Sequence, residues 1–193
     1  MNQTITDERF HVVEEAICDA FMQIITEKDL DKVTVSDVIK RAGIVRSTFY
    51  NHYENIPALI SAMEDRSIND IFTLMETFSP RNDYEMCKSY FKTICEYTMT
   101  NPFIAKLLSN PQEDGFFEKA IRMFHRYVTS LAQTNARMNR YSNEEYTYMI
   151  ACAIGGTIGI LHKWTRENFQ MPVEQIADIL TQVFLAGILP LMT

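Results

Sequence analysis

The sequence predicts an all-α fold of about nine helices, and two observations carry that expectation. Apolar side chains recur three or four positions apart through most of the 193 residues, the period of a helix that buries one face. Only six glycines and six prolines occur, and the prolines stand at or beside the places where this period breaks. A chain of this length holds one large helical domain or a small module joined to a bigger one; the expected division is 1–54 and 55–193.

Residues 7–27 set Phe10, Val13, Ile17, Phe21 and Ile24 on one stripe, with Glu14, Glu15 and Asp19 to one side, and form the first helix. Thr34 and Asp37 stand three apart as a capping box: the hydroxyl takes an orphan amide and the acid reaches back. The short helix they start ends at Gly43, where a left-handed residue closes the last turn without a Cβ clash. Helical spacing resumes over Arg46 to Tyr53, with Phe49 and Tyr53 four apart and Val38, Ile39 and Ile44 opposite them. Two short helices about one glycine turn make a helix-turn-helix. Asn55 caps a long helix whose first turn holds Pro57 and whose apolar face runs through Leu59, Met63, Ile68, Ile71, Phe72 and Met75. Further helices are expected at about 84–100, 103–109, 116–137, 143–168 and 173–189. Their boundaries are Asn101-Pro102, Asn110-Pro111, Asp114-Gly115 and Met171-Pro172.

A net charge of −7 and a pI near 5.1 exclude a broad positive field, so an anionic partner must be met by a local patch. That patch is "VSDVIKRAGIVRSTFYNHY", residues 35–53. Lys40, Arg41 and Arg46 surround Gly43, and Ser47, Thr48, Tyr50, Asn51 and His52 follow. A helix lying in the major groove needs short polar or branched side chains at its front to read base edges, and flanking donors to hold phosphate. Arg46, Ser47, Thr48, Asn51 and His52 meet the first need; Lys40, Arg41 and the Tyr50 phenol meet the second. Double-stranded DNA is therefore the expected partner.

No run approaches the roughly 18 apolar residues of a membrane span, and the start, with Asp7 and Glu8, lacks a signal-peptide layout. A cytoplasmic protein with no membrane partner is expected. Cys18, Cys87, Cys95 and Cys152 have neither C-x-x-C pairing nor a histidine at ligand spacing and are expected to be reduced core residues. The four histidines make no H-E-x-x-H pattern, and no phosphate loop or nucleophile elbow is present, so no catalytic residue, metal or cofactor is expected.

On Thr34, Ile39, Ala42, Gly43, Arg46, Thr48, Phe49, Tyr50, His52, Tyr53 and Leu59, residues 7–60 resemble the DNA-binding domain of the TetR/AcrR family of bacterial transcriptional regulators. Residues 155–180, "GGTIGILHKWTRENFQMPVEQIADIL", resemble the dimerisation region of the subgroup that includes DhaS-type regulators. The resemblance implies that Val45, Arg46 and Ser47 face bases, that Thr48, Tyr50 and His52 hold phosphate, and that Asn51 does either. Thr34 completes the expected DNA-binding set. Repression is the default it implies.

Two residues depart from the family pattern. Val45 stands where many members have a capping serine or threonine, which leaves a first-turn amide to water or a DNA phosphate. Ile56 stands where many have lysine, which removes one phosphate contact and makes the salt dependence shallower by about one charge. These departures and the acidic surface also admit a second function, a regulator that uses the same fold to bind a protein partner.

One recognition helix covers few base pairs, so a homodimer on a palindrome is expected. Its interface is placed on the last two helices, at Ile154, Gly155, Ile158, Gly159 and Leu161, joined by Ile176, Leu180, Val183 and Phe184. The same residues also suit intrachain core. In the middle helices Tyr90, Phe91, Cys95, Phe103, Phe117, Phe124 and Tyr127, with Cys152, either line a pocket for a small apolar effector or simply pack.

Overall fold

The computed structural model describes residues 2–76, 84–109, 115–123, 125 and 142–188. All regular structure among them is helical, and the chain divides into two compact units, Met1–Asp65 and Arg66–Thr193. The boundary falls inside the long fourth helix.

The first unit holds α1 (Asn2–Glu27), a 3-10 turn (Leu30–Lys32), α2 (Val35–Ala42), α3 (Arg46–His52) and the start of α4 (Ile56–Glu76). α1 begins five residues before the expected position, as continuous helical backbone. It packs mainly on α2, and α2 on α3. Ile17, Phe21, Ile24 and Ile25 of α1 meet Val38, Phe49 and Leu59 in a core where no side chain is more than 2 % exposed. Phe10, expected on the same buried stripe, is 45 % exposed, because that stripe leaves the core before it reaches the first turns. The Asn55 cap is present, its Oδ1 accepting from the Ala58 amide at 2.8 Å.

The second unit holds the rest of α4, then α5 (Tyr84–Thr100), α6 (Pro102–Ser109), α7 (115–123), α8 (Asn143–Arg166), α9 (Val173–Val183) and a π-type turn, Phe184–Ile188. α5 lies along α9, and α6 on α8. The α5–α9 seam carries Lys88 Nζ at 2.8 Å from Asp178 Oδ1 and Lys92 Nζ at 2.9 Å from Glu174 Oε1. α6 starts at Pro102, which gives up no helical hydrogen bond there, while Asn101 Oδ1 accepts from the amides of Phe103 and Ile104 at 3.0 and 3.2 Å. α8 starts on a second capping box, Ser142 with Glu145.

α8 ends at Arg166, two residues before its expected limit, because Asn168 and Phe169 take left-handed backbone with φ of 50° and 56°. The Trp164 indole, 1 % exposed, compensates that strain: its Nε1–H donates to the Met171 carbonyl at 2.8 Å, and Phe169 meets it edge-on with ring centroids 4.8 Å apart. No described helix is long and apolar enough to cross a membrane.

Candidate nucleic-acid interface

The site is assembled on α2, the turn at Gly43 and α3. Thr34 Oγ1 accepts from the Asp37 amide at 3.2 Å, and Asp37 Oδ2 accepts from the Thr34 amide at 2.9 Å and from its hydroxyl at 2.7 Å. Lys28 Nζ lies 2.8 Å from the same carboxylate and is the main reason its pKa falls to about 2, with the Thr34 bonds adding to it. Thr34 was expected in the DNA-binding set; its hydroxyl is occupied as both donor and acceptor within the cap.

Gly43 has φ 67° and ψ 29°, and the Ile44 amide returns to the Ile39 carbonyl at 3.1 Å. A Cβ here would meet no atom within 4 Å, so the requirement for glycine comes from its backbone angle. Val45 follows as the extended N-cap of α3, makes no side-chain cap bond, and is 65 % exposed.

Helical spacing then sorts α3 into two sides. Phe49 is fully buried, and Tyr53, just past the helix, is 8 % exposed and donates its phenol to Glu14 Oε1 at 3.3 Å. Burial above all, then the Cys18 thiol 3.7 Å away and Glu14, pushes the Tyr53 pKa far above the ordinary phenol value. Arg46, Ser47, Tyr50 and Asn51 are exposed on the other side, with Thr48 and His52 half-buried between the two. Arg46 Nη2–H donates to Tyr50 Oη at 3.0 Å, its guanidinium carbon 5.4 Å from that ring's centroid.

The His52 imidazole stacks on Phe10, centroids 3.9 Å apart with 27° between planes, and its Nδ1 is buried without a hydrogen-bond partner. Burial lowers its pKa, and Glu14 opposes this more weakly. A phosphate contact from His52 would therefore come from a neutral ring.

Across residues 1–65 six basic side chains face twelve acidic ones. Several cations are already matched: Lys32 with Asp29 at 2.7 Å, Lys28 with Asp37, and Arg41 with Glu27 through Nη1–Oε1 at 3.0 Å and Nη2–Oε2 at 2.8 Å. Lys40 is exposed and has no ion-pair partner among the described residues, so the positive charge left at the turn is that of Lys40 and Arg46. Sequence reasoning missed the Glu27 clasp and the Phe10 stack, since partners 14 and 42 positions apart leave no periodic signal.

In the second unit, Phe91, Cys95 and Phe103 are at most 5 % exposed, Tyr90 and Phe117 are half-buried, and Phe124 and Tyr127 lie outside the described residues. Phe91 meets Phe184 with centroids 5.7 Å apart, and burial pushes the Cys95 thiol up to about 12, an inert group. Cys152 is exposed on α8, unlike the other three cysteines, which corrects the expectation that all four are core.

The interface residues also divide. Leu161, Ile176 and Leu180 are at most 5 % exposed within the single chain and pack in the unit's own core, the other placement their spacing allowed. Ile154, Gly155, Ile158 and Phe184 are half-buried, with Gly155 facing the Phe117 ring, while Gly159 and Val183 are exposed. The exposed stripe of α8 runs instead through Tyr148, Cys152, Gly156, Gly159 and Lys163, spaced four, four, three and four apart, and Ile179 is exposed beside Val183 on α9. Among the described residues no group of three or more His, Cys, Asp or Glu is placed to hold a metal ion.

Residues 17–63 match bacterial regulatory proteins of the tetR family, and residues 85–185 match a transcriptional regulator C-terminal region. Among curated relatives, the uncharacterized HTH-type regulator YxbF of Bacillus subtilis is 33 % identical over 81 residues, 42 % of this chain but 21 % of that protein. The matched segment is thus about a fifth of that relative's length. Among solved structures, a TetR transcriptional regulator of Streptococcus agalactiae superposes with a TM-score of 0.65 at 22 % identity, covering 94 % of this chain and 98 % of its own. FadR of Bacillus subtilis, solved with stearoyl-CoA, gives 0.63 at 14 % identity over 90 % and 98 %. Both likenesses are of fold.

Proposed function

Because the chain belongs to the TetR family of bacterial regulatory proteins, we propose that it is a cytoplasmic transcriptional regulator that binds a palindromic operator as a homodimer and represses from it. The observation that carries this reading is the outer side of α3. Arg46, Ser47, Tyr50 and Asn51 stand exposed in one row after the left-handed Gly43, on a helix whose other side is fixed by Phe49 and Tyr53. Such a row presents donors and acceptors to base edges in a major groove, while Lys40 serves phosphate. With Lys28, Lys32 and Arg41, half of the unit's six cations, already paired, one copy holds DNA weakly. Affinity then depends on two copies engaging half-sites about 34 Å apart per helical turn.

The second copy is proposed to pack on the exposed stripe of α8 through Cys152, Gly156 and Gly159, with Ile179 and Val183 of α9 beside it. A Cβ at Gly156 or Gly159 would meet no atom of the described residues within 4 Å, so these glycines leave room for close approach by another helix. Release by a small apolar effector held in the second unit is proposed as the regulatory input, supported by the buried and half-buried aromatic side chains of α5–α7 and by the stearoyl-CoA in the solved structure of FadR of Bacillus subtilis. Catalysis has no part in this reading.

The test is selection of DNA from a random pool by the purified chain at near-physiological salt. Recovery of one inverted repeat is the expected result. A folded chain that enriches no sequence would sink the operator reading and move attention to a protein partner.

A further inference from the structure

We infer that Val45 is a specificity-determining residue that reads the 5-methyl group of a thymine in each half-site; this rests on the operator reading above. Val45 is 65 % exposed at the front of α3, where it forgoes the side-chain cap that a serine or threonine would make. Nothing among the described residues repays either feature: an aliphatic side chain stands in water on the surface that also presents Arg46, Ser47 and Asn51. The neighbouring Arg46 is drawn along the helix toward Tyr50, Nη2 to Oη at 3.0 Å, which leaves Val45 and Ser47 as the leading side chains. Its backbone is extended, φ −90° and ψ 159°, and its carbonyl accepts from the amides of Thr48 and Phe49, so the side chain is carried on a fixed support.

In the major groove the base edges offer one apolar feature, the thymine methyl, and a valine complements it by excluding water from both. The other bases present polar atoms to Val45 that it cannot satisfy, and their desolvation disfavours them. The discrimination is therefore for thymine at one fixed step of each half-site, independent of any hydrogen bond.

The experiment uses the full chain and the inverted repeat it selects, with each thymine of a half-site replaced singly by deoxyuridine, and compares wild type with Val45→Ala by fluorescence anisotropy. One position per half-site should weaken wild-type binding about fourfold, the weight of one buried methyl-sized group. The same replacement should leave Val45→Ala unchanged, and that variant, altered in both copies, should bind the thymine operator about as weakly as wild type binds an operator with deoxyuridine at that position of both half-sites. Deoxyuridine silent at every position, a methyl effect that persists in Val45→Ala, or an operator with no enriched thymine would each overturn the inference while leaving the operator reading intact. Failure to select any operator would remove the operator reading itself, and the inference with it.

Discussion

Arg41 grips Glu27 with both ends of its guanidinium, Nη1 to Oε1 at 3.0 Å and Nη2 to Oε2 at 2.8 Å, tying the end of α2 to the end of α1. The pair lowers the Glu27 pKa and raises that of Arg41, each chiefly through the hydrogen bonds they share. In the free protein, then, a carboxylate occupies the fork proposed for a DNA phosphate.

Glu27→Gln should release Arg41 to the DNA. Operator affinity should rise, about threefold to tenfold at physiological salt, and the slope of log K against log salt should steepen by about 0.9, the share of one added phosphate contact. Titration at several salt concentrations reads both. An unchanged slope would mean that Arg41 already leaves Glu27 when DNA arrives.

Tyr50→Phe and Tyr50→Ala separate two roles. Loss of the hydroxyl removes both the proposed phosphate donor and the anchor of Arg46, and should weaken operator binding about tenfold, the usual worth of one hydrogen bond to a charged group. With 45 % of Tyr50 exposed, the thermal unfolding midpoint should barely move. Wild-type affinity in either variant would undo the assignment.

The exposed stripe of α8 is tested by Gly156→Leu. Gly156 is exposed and a Cβ there meets no described atom within 4 Å, so the fold should survive while the bulkier side chain blocks a close helix–helix contact. Sedimentation should show a monomer, and maleimide labelling of Cys152, the one exposed cysteine among the four, should become independent of protein concentration. A Gly156→Leu dimer would place the second copy elsewhere.

Acid should loosen the first unit in two steps. The His52 pKa is lowered by burial, so the neutral ring is the native form; its contribution is present above about 6.5 and is lost as pH falls toward the folded value. Asp37 is depressed from 3.8 to about 2, so its contribution is present above about 4 and is lost between there and 2. Thermal unfolding across pH should show both, with the upper step absent in His52→Phe. Asp37→Asn, which gives up the Lys28 pair and half the capping box, should cost about 1 kcal/mol at neutral pH.

Trp164→Phe should destabilise the second unit by about 1–3 kcal/mol, because it leaves the Met171 carbonyl unbonded and a gap beneath Phe169. Chemical denaturation followed by circular dichroism measures this directly.

What the sequence determined by itself is local. The Thr34–Asp37 capping box, the left-handed Gly43, the Asn55 cap and the three-to-four spacing of Ile17, Phe21, Ile24 and Phe49 each act within one or two helical turns, so they are legible in the order of residues. The exposed row of α3 follows from the same period. What only the tertiary structure decided is which of several chemically equal side chains meets which partner. Apolar residues of α8 and α9 look alike in sequence, yet Leu161, Ile176 and Leu180 are enclosed by their own unit while Gly156, Gly159, Ile179 and Val183 stay outside. Of the cations near the turn, Arg41 is clasped and Lys40 is not, because α1 brings Glu27 within reach of one alone. Burial and charge pairing depend on distance in space, and neighbours far apart along the chain leave no mark on its period.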